Sequence, residues 1–120
     1  MIVNEELTQA FNQKPKTNIN NIKKMTPGQL DQVKVYGSSA ENLLANKDFA
    51  LFVHHYKFDL ADELASINGH TQDDNTRRVA IANNISGIDK FITSLQRAVY
   101  FKNQAVSHQN APLAKEMTNE

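Results

Sequence analysis

The fold turns on residues 81–106, IANNISGIDKFITSLQRAVYFKNQAV. Ile81, Ile85, Ile88, Ile92, Leu95 and Val99 alternate spacings of four and three, and Val106 resumes the register after Lys102 breaks it. That is a heptad seam: β-branched Ile85, Ile92, Val99 and Val106 fill one core position, and Ile81, Ile88 and Leu95 fill the other. No proline interrupts the run before Pro112, so the pattern predicts a helix over about 72–106, about 50 Å long. Thr71 supplies a capping hydroxyl, and Asp73 and Asp74 sit where the helix dipole favours negative charge. Gly87 lies inside this run at a cost in helix stability, which predicts a close backbone approach there from a neighbouring helix.

Upstream, Phe49, Phe52, Val53, Tyr56, Leu60, Leu64 and Ile67 recur every three or four residues. Lys47, Asp48, His54, His55, Lys57, Asp59, Asp62 and Glu63 fill much of the opposite side, so a second amphipathic helix is predicted over about 39–67. Its start is assigned to a capping box, Ser38 with Glu41, and its end to Asn68-Gly69, which tolerate left-handed backbone. The short link between Asn68 and Gln72 makes the two helices antiparallel neighbours. Before them, Thr26-Pro27 opens a helix that carries Leu30, Val33 and Val35 and is expected to stop at Gly37, over about 27–36.

The expected architecture is therefore all-α: an antiparallel two-helix hairpin with an additional N-terminal helix, a long coiled-coil-like second helix and flexible termini. Residues 1–24 read as an arm with one short helix around Leu7 and Phe11, and 108–120 as a polar tail. At 120 residues the chain has room for one modest core, placed in a helical domain over 25–107.

Cysteine and tryptophan are absent, which excludes disulfides and thiolate metal sites. Met1-Ile2-Val3 runs straight into Asn4, Glu5 and Glu6, unlike a signal peptide, and no apolar run is long enough to span a bilayer. The expected setting is intracellular or virion-interior, not secreted through a signal peptide and without membrane contact. Net charge is zero, but it is arranged in blocks. Lys14 to Lys34 holds five lysines against Asp31, Glu41 to Asp74 seven acids against two lysines, and Arg77 to Lys102 five bases against Asp89. Antiparallel helices set the acidic block beside a basic one, so intramolecular complementarity is favoured over nucleic-acid binding.

Catalytic chemistry lacks the required spacings. His54 and His55 are adjacent and point about 100° apart on a helix, so they cannot chelate one ion together. His55 with Asp59, and His70 with Asp73 and Asp74, fall short of a ligand set. Asp62-Glu63 and Asp73-Asp74 are neighbours in sequence, not acids facing across a cleft. No GxSxG turn or phosphate-cradling glycine loop is present. The expectation is a non-enzyme with no cofactor and no metal.

The apolar surface exceeds what one partner helix covers, so either a closed three-helix bundle completes its core with these aromatics or a partner covers them. Ile81, Ile85, Ile88, Phe91, Ile92, Leu95, Val99 and Phe101 are the candidates for a protein interface, in a homo-oligomer or larger assembly. Phe101 lies well off the seam, and Phe49 and Phe58 point away from the best packing angle of their own helix. Isoleucine at both core positions leans towards more than two strands. Lys14, Lys16, Lys23 and Lys24 are the candidates for phosphate contacts, with Arg77 and Arg78 able to add to them.

The run MTPGQLDQVKVYGSSAENLLANKDFALF, residues 25–52, resembles short tailed-bacteriophage proteins encoded among head and packaging genes. The shared pattern rests on Tyr36, Gly37, Ala40, Glu41, Leu43, Leu44, Asn46 and Phe49, within a likeness over about 25–106. The resemblance implies a virion or assembly component, or a small terminase-like packaging subunit, and it carries over no catalytic residue. The terminase version departs from this chain in lacking a basic helix-turn-helix.

Overall fold

The computed structural model describes residues 4–15 and 22–118, and side chains as far as residue 110. The chain is all-α, with no strand among the described residues. Its helices are α1 (Asn4–Gln13), α2 (Pro27–Ala45), α3 (Lys47–Ala65) and α4 (Gln72–Thr118), with a 3-10 turn at Ile22–Lys24. They form two compact units, one drawn from Met1–Ala40 with Ala98–Glu120, the other from Glu41–Arg97. The helices α2 and α4 each contribute to both units.

The helix starts are chemical. Thr26 and Gln29 cap α2 reciprocally: the Gln29 N–H donates to Thr26 Oγ1 at 3.2 Å and the Thr26 N–H to Gln29 Oε1 at 3.0 Å. Proline follows at the first helical position, where its missing N–H costs nothing. Thr71 and Asp74 repeat the device on α4, with the Asp74 N–H on Thr71 Oγ1 at 3.1 Å and the Thr71 hydroxyl on Asp74 Oδ2 at 2.8 Å.

Three boundaries differ from the sequence expectation. The helix does not stop at Gly37 and restart at Ser38. α2 continues to Ala45, and Ser39 turns its hydroxyl back onto the Val35 carbonyl at 3.2 Å. The break falls at Asn46, whose extended backbone (φ −79°, ψ 119°) and side-chain oxygen cap α3 through the Phe49 N–H. At the far end α3 stops at Ala65, with Ser66 right-handed, and no described residue takes a positive φ. Asn68 and Gly69 therefore do not terminate it in the left-handed way. Lastly, α4 does not end near 106 but runs to Thr118, through Pro112. Of the expected flexible arm and tail, 4–13 and 108–118 are helical, while 1–3, 16–21 and 119–120 lie outside the described residues.

The unit that contains the chain ends is closed by small residues. Gly37 is buried, and a Cβ there would lie 2.7 Å from the Ala98 carbonyl oxygen and collide with Lys102 Cβ. The glycine lets α2 and α4 approach backbone to backbone. Around that approach Ile22, Leu30, Val33, Phe101 and Ala105 form a core backed by Met25, with Ala105 wholly buried. Lys34 joins the same two helices, donating to Gln109 Oε1 at 2.5 Å beside its ion pair with Asp31. The close approach expected at Gly87 is therefore at Gly37, and nothing lies within 4 Å of a Cβ built on Gly87.

The Glu41–Arg97 unit is the helical hairpin. Leu60, Ile67 and Ile81 form its buried core, with Leu64, Ile85 and Ile88 packed against it in part. Arg78 fastens the connection between the helices. Its guanidinium donates to the Ile67 carbonyl at 3.2 Å, to the Gly69 carbonyl, and to Asn75 Oδ1 at 2.7 Å. Those bonds tie the Arg78 guanidinium to the loop through three of its N–H donors.

Candidate interaction surface

The seam of α4 is only half covered. Ile81 is buried, but Ile85, Ile88, Ile92, Leu95 and Val99 are half-buried, and Phe91 is 49% exposed. Phe101 is 4% exposed in the core of the other unit, so it belongs to the fold and is no interface residue. The reason is a change of phase. After Leu95 the buried positions are Ala98, Phe101 and Ala105, a step of three where the heptad predicts Val99. The buried stripe is displaced by one residue, about 100° round the helix. Val106, the last residue of the expected seam, is consequently exposed.

On α3 the expected buried stripe is narrower than the pattern suggested. Leu60 is buried and Val53 and Leu64 are half-buried, whereas Phe52 is 70% exposed and Tyr56 is also exposed. Phe52 lies about 80° round the helix from Leu60, beyond the reach of α4. Phe49, Phe52 and Tyr56 are three and four apart, so they follow one flank of α3. Phe49 does not point away as expected: it is half-buried, with its ring edge-on to Phe91 at a centroid distance of 6.3 Å. That contact brings Phe91 to the same flank. The result is an exposed aromatic strip, and sequence reasoning missed Phe52 and Tyr56 as members because it assigned both to the core.

The other flank of α3 differs. Phe58 is exposed and stacks on His54 at 6.4 Å. Lys57 reaches across the hairpin to Asp89 at 2.8 Å, an exposed pair of small energetic weight. Beneath it lies a groove of about 350 Å³ whose lining includes Leu44, Phe49, Val53, His54 and Ile92.

Of the lysine candidates, Lys14 and Lys24 are brought together on one groove of about 410 Å³, with Gln29, Gln32, Met25 and Val33 in its walls. Lys23 is exposed on the neighbouring 3-10 turn, and Lys16 lies outside the described residues. Among the described residues no group of three or more histidines or acids is placed to hold a metal ion. No described helix is long and apolar enough to cross a membrane.

Asp74 is the one described group with a distinct electrostatic setting. The Thr71 hydroxyl bond, then the Thr71 N–H and the charges of Arg78 and Arg77, hold its carboxyl below the usual carboxylate range. Its role is capping, consistent with its position in the first turn of α4.

No family model matches the chain, and neither a curated protein nor a solved structure matches it significantly.

Proposed function

We propose that this chain is a non-enzymatic structural or assembly protein that acts through protein–protein contacts and self-association, as a component of a bacteriophage virion or its morphogenesis. The observation that carries the reading is the incomplete cover of the hairpin. With α3 packed on α4, Ile85, Ile88, Ile92 and Leu95 remain half-buried, and Phe52, Tyr56, Phe58 and Phe91 remain exposed. Exposed apolar surface of this kind is what association removes from water. The phage setting draws on the sequence resemblance over about 25–106 alone. Light scattering on the full chain tests the reading: a mass above one chain supports it, and a single-chain mass at every concentration overturns it.

A second reading, a small terminase-like or regulatory DNA-binding packaging module, draws on Lys14 and Lys24 lining one groove. It requires DNA binding that weakens steeply with salt as counterions are released. Absence of binding at low salt removes it.

A further inference from the structure

The connection between α3 and α4 carries a chemically reactive pair. Asn68-Gly69 is the one Asn-Gly step in the chain, and both residues are exposed. Asparagine is thermolabile because its side-chain carbonyl carbon is open to attack by the backbone nitrogen of the residue that follows. Neither the Asn68 side-chain amide nor the Gly69 N–H has a hydrogen-bond partner among the described residues. Asn83 and Asn84 differ, since they lie inside α4 and the N–H after each is committed to the helix ladder. The fold also fixes which residue follows Asn68. A Cβ on residue 69 would collide with the Asp74 carboxylate, which accepts from the Thr71 N–H and hydroxyl. Glycine fits there, and its backbone nitrogen is the one least screened by a side chain.

The reaction balances with water as its only co-reactant. Gly69 N gives its proton to solvent base and bonds to Asn68 Cγ. The Cγ–Nδ2 bond breaks, and the nitrogen takes a proton back from solvent and leaves as ammonia. The product is a cyclic succinimide, which water opens at either of its two carbonyls. Opening at Cγ leaves aspartate in an ordinary chain. Opening at the main-chain carbon leaves isoaspartate, with the chain routed through Cβ and Cγ. Either product is ionised at neutral pH, so the chain moves from net zero to one negative charge.

We propose that Asn68 is a self-modifying site, converting without an enzyme to aspartate and isoaspartate, and that isoaspartate loosens the hairpin connection. The loosening follows from Arg78. Its guanidinium donates to the carbonyls of Ile67 and Gly69, the residues on either side of Asn68. Isoaspartate adds one backbone atom between those carbonyls, and a rigid planar fork cannot keep both once their spacing changes. Aspartate leaves the spacing as it was, so only one of the two products releases the fork. The inference goes beyond self-association, and none of its residues belongs to the exposed aromatic strip.

The test is to age the full chain in warm, mildly alkaline buffer beside Asn68→Gln, whose longer side chain closes the ring poorly. Trypsin releases residues 58–77, which hold both Asn68 and Asn75. Asn75 is an internal comparison, because it and Thr76 lie in α4. The wild type should gain one mass unit at Asn68, with an acidic variant on ion exchange and Asn75 intact. Asn68→Gln should lack that variant. The isolated isoaspartyl form should show an unfolding equilibrium constant in urea about tenfold or more above the aspartyl form, the worth of one charged hydrogen bond. An Asn68 that stays intact in the folded chain, whatever happens in the urea-unfolded chain, overturns the site. So does an acidic variant that persists in Asn68→Gln. Equal stability of the two isolated forms overturns the release of Arg78.

Discussion

The single helix α4 solves the packing problem in two ways. In the Ala98–Glu120 portion it meets α2 through small residues, Ala98 and Ala105, at a glycine, with Phe101 filling the space beside them. In the Glu41–Arg97 portion it meets α3 through isoleucines, and most of those stay half-exposed. Small residues let backbones close and leave one large side chain buried between them. Large branched residues hold the helices apart and keep their own outer sides wet unless something else covers them. The residues with the stronger hydrophobic pattern thus belong to the more open half.

The comparison can be broken most forcefully in the cores. Phe101→Ala should cost about 3–5 kcal/mol in urea denaturation, the range for an enclosed aromatic. Ile92→Ala, removing a half-covered side chain, should cost about 1–2 kcal/mol, below the enclosed range. Equal losses would show that the two halves are closed alike. The two glycines sharpen the contrast with opposite signs. Gly37→Ala should destabilise by about 1–3 kcal/mol, because the added methyl meets the Ala98 carbonyl and Lys102. Gly87→Ala should stabilise by about 0.5–1 kcal/mol in thermal melts, since its surroundings are open.

The smallest effect concerns the cap that starts α4. The folded-state pKa of Asp74 is depressed, so the stability it contributes is full above its unfolded pKa and is lost as pH falls through the folded value. Wild type and Asp74→Asn melted across the acidic range should differ at neutral pH and converge below the ordinary carboxylate range. A difference that grows on acidification contradicts the cap.

Much of this architecture was legible in the sequence. The spacing of Ile81 to Leu95 marked the hairpin, and Thr26-Pro27 and Thr71 with Asp74 marked two helix starts, because a cap is a local signal. What escaped is non-local. Gly37 can stop a helix or admit a neighbour, and only the presence of Ala98 and Lys102 opposite decides which. The phase change after Leu95 was hidden because Val99 continues the heptad as well as Ala98 replaces it. Phe52 and Tyr56 sit beside the buried stripe of α3, and whether they join it depends on how far α4 reaches. Of the residues named for an interface, Phe91 is exposed and Ile85, Ile88 and Ile92 are half-buried, while Phe101 belongs to a core that the pattern did not reveal.

Hydrogen exchange on the full chain, followed over a wide dilution series, tests the contrast between the halves most directly. The account predicts that protection over Phe49–Tyr56 and Ile88–Leu95 rises with concentration, while Val33–Gly37 and Ala98–Ala105 keep the same protection throughout. Protection independent of concentration in both halves, or rising first around Gly37 and Phe101, would contradict it.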